Sequence, residues 1–440
     1  MSASDKAARI RLFKFNTPQM RAFHMSWFAF FLCFFAWFGI APMMVVIRDE
    51  MGLTRDQIGW LVISSVSTTI LARLLVGCLC DRIGPRLAYT WLLMLGAVPV
   101  IGVGLAHDFQ TLLVFRLMIG CIGASFVITQ YHTSVMFASN CVGTANATTA
   151  GWGNLGGGVT QMMMPLLFAL FTGVVGVSSF WGWRLSMIVA GVVCFMTGIA
   201  YYLMTQDCPE GNYKDLRASG RMAKSEKAGG TLLEVLRDPR VCSLFAIYGV
   251  CFGVELTINN IAALYFVDYF DYFQGMSTAK AIGIAGAIAG MFGLMNLFAR
   301  TTGGYLGDRF GVRWGLKGRV TWLFAVLFCE GLALMLFSQM SILVLAVPAL
   351  IVFGMLVQMS SGATFSVVPF INKRAMAAGF LFKSSIPWPT AFLILGATVT
   401  CCSFLAFTIR FSESVEHEAR EEMFTTLGLE PVPATVRVAS

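Results

Sequence analysis

Long apolar runs alternate with short polar ones along the whole chain. Runs of spanning length fall at about 25–47, 58–80, 87–106, 111–137, 147–173 and 185–204, then at about 241–267, 282–306, 319–338 and 341–370, with a last one ending near Phe411. At about 1.5 Å per residue, a helix of this length crosses a hydrocarbon core of roughly 30 Å. A backbone in lipid must satisfy its own hydrogen bonds, so runs of this kind predict helices. The pattern predicts an all-α polytopic membrane protein. Its parts are a basic N-terminus (1–24), a bundle of six helices (25–204), a polar linker (205–240), a second bundle (241–411) and an acidic tail (412–440).

Composition sharpens this reading. Hydrophobic residues make up 57% of the chain and charged residues 12%, against a charged share of roughly 25% in soluble domains. The formal net charge of +8 is scattered over loops and forms no basic face with interleaved aromatics, so nucleic acid is not expected as a partner. Basic residues collect in the N-terminus (Lys6, Arg9, Arg11, Lys14, Arg21), the linker, the loop from Arg309 to Arg319 and the loop at Lys373. All fall on one side if odd spans run outward, which predicts a cytoplasmic N-terminus. The first run is too extended for a cleaved signal peptide. Most of the 12 cysteines lie inside apolar runs and none forms a C-x-x-C pair, so neither a disulfide framework nor a metal or cofactor site is expected.

One polar stretch occurs twice. The pattern A-R-x-x-x-G-x-L-x-D-R-x-G-x-R starts at Ala72 and again at Ala299, an offset of 227 residues, so the two halves are duplicates. In each copy an arginine, Arg73 or Arg300, lies eight residues before an Asp-Arg pair that must sit in water. That places both guanidinium groups roughly 12 Å inside one membrane face. Such a charge costs about 2.5–3.5 kcal/mol on insertion scales and is tolerated where it faces a cavity or a partner. Neither apolar run offers an acid within a helical turn, so equal depth in both halves favours one shared anion site. Two planar, permanently charged forks suit a small planar oxyanion.

The same repeat exposes a shortfall. Between Arg86 and Met204 lie 118 residues, but between Arg313 and Phe411 only 98. The deficit falls opposite the fifth run, where Met376 to Ile386 is a stub rising about 16 Å, too short to cross. Eleven full spans are expected, with the eleventh helix of a twelve-helix pattern truncated and the tail left outside.

The fifth run carries Gly151-Trp152-Gly153-Asn154-Leu155-Gly156-Gly157-Gly158. It contains G-x-G-x-x-G, but no strand precedes it, so it is no dinucleotide fingerprint. Clustered glycines let membrane helices approach closely. Packing alone does not require Asn154 and Gln161, which lie seven apart on one helix face. Glycine backbone and amide side chains together can offer donors to an anion.

At this point the chain resembles a known family. The G-x-L-x-D-R-x-G-x-R loops starting at Gly77 and Gly304 are similar to the loop signature of the major facilitator superfamily. The run from Ala150 to Gln161 resembles the nitrate signature of the nitrate/nitrite porter family, in which Arg73 and Arg300 fall at the two substrate arginines. The resemblance implies two six-helix bundles rocking about a central site, and proton-coupled uptake of nitrate or nitrite for nitrogen assimilation. It also implies that Arg73 and Arg300 clamp the anion, that Asn154 lines the cavity with the aromatics Phe126 and Tyr248 at matching positions, and that Gly151, Gly153, Gly156 and Gly157 let the helix slide. The family's second glycine-rich signature is absent where the repeat finds its shortfall.

Inward movement of an anion against an interior-negative potential costs about 2.3 kcal/mol per charge per 100 mV, so uptake needs at least two protons per anion or exchange for an internal anion. Glu255, His132 and Glu330 are the proton-coupling candidates, each with a structural alternative. Asp81, Arg82, Asp308 and Arg309 read as gate latches at helix ends. Arg116 and Arg184 read as structural. Partners are the anion, protons and the bilayer; an accessory subunit is not indicated. The residues leave open an antiporter, a carrier of another small anion, and a transport-inactive sensor or deletion product. No hydrolase or nucleotide-binding motif points to an enzyme.

Overall fold

The structure is a computed structural model that describes residues 6–7, 9–137, 142–221, 238–367 and 387–417. Among the described residues, eleven helices are long and apolar enough to cross a membrane. The first to sixth are Pro18–Met51, Arg55–Ile83, Pro85–Leu105, Phe109–Met136, Ala145–Val174 and Ser179–Met204. The seventh to eleventh are Pro239–Tyr269, Thr278–Gly307, Arg309–Ser338, Leu343–Thr364 and Trp388–Thr408. Local chemistry sets their ends. Thr17 caps the first span, Thr54 forms a capping box with Gln57 before the second, and Asp238 accepts from the Arg240 N–H before the seventh. Each satisfies a backbone donor that the first helical turn leaves free. The second and third spans are hinged at Gly84, whose φ of 89° favours glycine.

One apolar core gathers the first six spans and the second gathers the seventh to eleventh. Each half packs helix on helix through glycine. In the first half Gly191 and Gly198 of the sixth span lie against the third. In the second half a Cβ on Gly331 of the ninth span would stand 2.7 Å from the Gly396 carbonyl of the last. The last span therefore holds in the second half the place that the sixth holds in the first.

Its direction corrects an expectation. Ser366 and Arg319, joined by an Arg319 Nη1 to Ser366 carbonyl bond of 2.9 Å, put the end of the tenth span on the face that carries the N-terminus. Trp388, however, borders the same cavity as Arg48 and Asp268 on the opposite face. Thr408, at the other end of this span, bonds Ser243 at the start of the seventh, at 2.6 Å. The last span thus runs back toward the N-terminal face, and residues 412–417 emerge there, with the Glu416 carboxylate beside Gly315. The start of the tail is not left on the opposite side, because counting apolar runs says how many there are and not which way the last one points. The expected stub from Met376 to Ile386 lies outside the described residues.

The eighth and second spans, related by the duplication, differ in how closely they are packed at matching glycines. The fifth span packs tightly on the eighth, where a Cβ on Gly158 would come within 2.7 Å of the Gly293 backbone and one on Gly286 would run into the Gln161 carbonyl. The offset of 227 pairs Gly286 with Gly59 of the second span. Gly59 has nothing within 4 Å of where its Cβ would be.

Candidate functional site

Arg73 is 6% exposed and Arg300 2% exposed, each well inside its span. The seventh span joins them. Tyr248, Phe252 and Glu255 recur at helical spacing and share one face. The Phe252 ring lies 5.7 Å from the Arg73 guanidinium carbon and the Phe126 ring 5.9 Å from it. Tyr248 stacks on Phe252 at 5.3 Å, within electrostatic reach of both arginines. Glu255 accepts from Arg300 Nη2 at 2.6 Å, with the two side chains 0% and 1% exposed.

The two arginines are therefore not equivalent. Arg73 makes no hydrogen bond or ion pair to a described residue and is held by the faces of two rings, an attraction worth about 0.5–2 kcal/mol. Arg300 is half committed. Its Nη2 serves Glu255 and, at 2.8 Å, Gln358 Oε1, while Nε and Nη1 have no partner. A carboxylate within a turn of Arg300 in sequence was not to be found, and its counter-ion comes instead from the neighbouring seventh span.

The glycine-rich helix meets this cluster from the other side. A Cβ on Gly151 would stand 3.2 Å from the Asn296 carbonyl, and Asn296 in turn donates to Glu255 Oε1 at 3.2 Å. Gly157 lies beside Asn259, whereas Gly153 and Gly156 receive Phe30 and the Phe31 backbone of the first span. Asn154 is 2% exposed with Oδ1 unpartnered. Gln161 Nε2 donates to the Asn259 carbonyl at 2.5 Å. Among the described residues, the buried donors Arg73 Nε, Arg300 Nε and Nη1, Gln358 Nε2 and Asn259 Nδ2 lack acceptors, and the acceptors Asn154 Oδ1, Gln161 Oε1, Asn259 Oδ1 and Asn296 Oδ1 lack donors. Unmet donors in a low-dielectric interior cost free energy that an anion would recover.

A family model described as Major Facilitator Superfamily matches residues 26–375. "High affinity nitrate transporter 2.5" of Arabidopsis thaliana is 39% identical over 378 residues, covering 86% of this chain and 73% of that protein. "Nitrate transporter 2.2" of Chlamydomonas reinhardtii is 32% identical, covering 100% of this chain and 82% of its own. "Nitrate/nitrite transporter NrtP" of Nostoc punctiforme is 27% identical over 93% of this chain and 97% of that one. This chain belongs to the nitrate/nitrite porter family of the major facilitator superfamily. Among solved structures, a bacterial homolog of the human lysosomal transporter Spinster, inward-facing and unoccupied, superposes with a TM-score of 0.60. It is 15% identical and covers 89% of this chain and 82% of its own, a likeness of fold alone.

Three bonds tie the two halves of this porter together beyond the arginine level. Arg48 Nη1 reaches both Asp268 oxygens at 2.5 and 2.7 Å. Arg116, fully buried, donates to the Trp37 carbonyl at 3.0 Å and to Asn260 Oδ1 at 2.7 Å, and Gln161 makes the third bond. The face opposite the N-terminus is closed by them. Arg184 is an end clamp, paired with Glu50 at 2.7 Å and bonded to the Gly104 and Ala106 carbonyls.

On the N-terminal face the end of the second span receives a donor from the linker. Arg217, on the short linker helix Tyr213–Ala218, donates to the carbonyls of Asp81 and Arg82 at the end of the second span. Asp207 accepts from the backbone N–H of Arg86 and of Tyr213, each at 2.9 Å. Burial raises its carboxyl above the usual range, against those two N–H donors. Arg309 donates to Tyr305 at 3.1 Å, and the Asp308 side chain lies outside the described residues. His132 is far from the arginine pair in chemistry: Nδ1 meets Tyr201 at 2.6 Å and Nε2 the Gln206 carbonyl at 2.8 Å, inside the first bundle. Glu330 is buried with one oxygen bonded by Ser360 and the other unpartnered.

Phe252, Asn259, Asn260, Asn296 and Gln358 joined the site only in the structure. The polar pair Asn259-Asn260 inside an apolar run was the available signal for two of them.

Proposed function

We propose that this porter carries nitrate and nitrite across the membrane by secondary active transport, with the N-terminus in the cytoplasm and the anion held between Arg73 and Arg300. The observation that supports this most is the pair of buried arginines that the duplication places at matching positions, with Arg73 Nε and Arg300 Nε and Nη1 unpartnered among the described residues. Nitrate and nitrite are planar oxyanions that accept such donors in a plane. The similarity to nitrate transporters of Arabidopsis, Chlamydomonas and Nostoc supports the choice of substrate. The bonds between the halves hold the far face together in this state, and transport alternates it with one in which those bonds part.

Coupling is to protons through Glu255. Arg300 Nη2 holds either the carboxylate or the substrate, so a proton on Glu255 frees the guanidinium for the anion. Glu330 faces the same region from the ninth span and is the second proton candidate, whereas both nitrogens of His132 are already used. Gate residues Asp81, Arg82, Asp308 and Arg309 act at the cytoplasmic helix ends with Arg217. Purified protein in liposomes tests the reading: labelled nitrate accumulates under an inward proton gradient, and unlabelled nitrite competes better than formate. Uptake indifferent to excess nitrate would sink it. Glu255→Gln should keep nitrate exchange but lose accumulation driven by the gradient; unchanged accumulation would remove Glu255 from the coupling.

A further inference from the structure

A second cavity lies on the opposite side of the glycine-rich helix from the arginines. It has a volume of about 530 Å³ and opens beside the cytoplasmic ends of the first, fifth and sixth spans, within the range of small-molecule and lipid pockets of about 300–1,000 Å³. Its wall is Trp27 and Phe28 of the first span, Trp152 of the fifth and Met204 at the end of the sixth, and Phe13 and Phe15 form its lip. The N-terminal segment that supplies this lip is pinned in place. Ala7 N–H donates to the Met136 carbonyl at 3.0 Å and Lys6 Nζ to the Ser134 carbonyl at 3.2 Å.

The polar groups of this slot are few and of one sign. Trp27 Nε1 is spent on His24 Nδ1 at 3.2 Å. Arg21 also lines the slot, in the first turn of the first span. Its guanidinium makes no hydrogen bond or ion pair to a described residue, and its Nε is buried without a partner. No acidic residue lines the cavity among the described residues. From Arg21 to Phe28 the helix rises about 10 Å, so the slot runs from the membrane surface into the hydrocarbon with its one unpaired cation at the surface end. Aromatic side chains at that level belong to the water–lipid boundary.

We propose that this slot binds one anionic phospholipid of the cytoplasmic leaflet, with its phosphate on Arg21 and an acyl chain along Trp27, Phe28 and Trp152. A phospholipid matches both ends, whereas a free anion would leave the apolar wall without an occupant. The position gives it leverage on the site. Trp152 stands between Gly151, which faces Asn296, and Gly153, which receives Phe30, and it precedes Asn154 by two residues. An acyl chain against Trp152 therefore presses on the turn that carries the signature, and the bound lipid speeds the rocking of that helix. This last step rests on the transport reading above; the binding itself does not.

Native mass spectrometry of the purified full chain, exchanged into detergent with equal phosphatidylglycerol and phosphatidylcholine, reads the binding directly. The wild type is expected to retain one phosphatidylglycerol at fivefold or greater preference, Arg21→Lys to keep it, and Arg21→Gln to lose at least fivefold. Phe13→Glu is the second variant, at a side chain 94% exposed and without a role in folding, and should lose the lipid by repulsion. Equal retention of phosphatidylcholine, unchanged retention in both Arg21→Gln and Phe13→Glu, or displacement by 10 mM inorganic phosphate overturns the proposal. In liposomes, nitrate uptake should be several-fold faster with phosphatidylglycerol than with phosphatidylcholine alone. Equal rates would strike out the effect on rocking and leave the binding result standing, whereas no uptake in either lipid would count against the transport reading.

Discussion

Replacing Arg73 by lysine separates recognition by shape from recognition by charge. Lysine keeps the cation but loses the planar fork and most of its donors. The structure bounds the cost to the fold: among the described residues Arg73 has no hydrogen-bonded or charged partner, only two rings at 5.7 and 5.9 Å, and a lysine retains part of that attraction, so the loss should stay below about 1 kcal/mol. The cost to the substrate is larger. A hydrogen bond to a charged group is worth about 1.5–3 kcal/mol, and each 1.36 kcal/mol is tenfold, so losing one arm of the fork should lower uptake at limiting nitrate by roughly 10- to 150-fold. Arg300→Gln makes the contrast. It strands Glu255 as a buried, unpaired carboxylate, a change that costs about 3–5 kcal/mol, and should lower both transport and thermal stability. Initial rates of labelled nitrate uptake in liposomes, with a melting curve for each variant, measure both. Arg73→Lys with wild-type uptake would refute bidentate recognition, and equal destabilisation by the two changes would refute the asymmetry of the pair.

Other consequences follow from the same geometry. Asp268→Arg should weaken closure of the far face and reduce turnover, and the double exchange Arg48→Asp with Asp268→Arg should restore it; uptake rates for the three proteins check this. Gly158→Ala puts a Cβ within 2.7 Å of the Gly293 backbone and should abolish transport, whereas Gly59→Ala, facing open space, should leave it within twofold. Arg217→Ala removes the donor to the end of the second span and should change the maximal rate with little effect on the nitrate concentration at half rate. In Asp207→Ala the N–H groups of Arg86 and Tyr213 lose their acceptor, so faster amide exchange across the linker helix Tyr213–Ala218 is expected.

The membrane class, the spans and the duplication are carried by local properties. Hydropathy is summed over neighbours in the chain, and a repeat is a comparison of the chain with itself, so neither needs a partner from elsewhere. That is why the buried depth of Arg73 and Arg300 and the glycine run around Asn154 were legible in the residues. What the neighbours are is a different matter. Glu255 lies 45 residues from Arg300, and only the packing of the seventh span against the eighth gives one arginine a carboxylate while the other has none among the described residues. The direction of the last span, the use of both nitrogens of His132 and the contact of Arg217 with the end of the second span likewise depend on which helices touch. Depth in the bilayer is a property of position along one helix; the partner of a buried charge is a property of the helix beside it, and only the tertiary structure decides which helix that is.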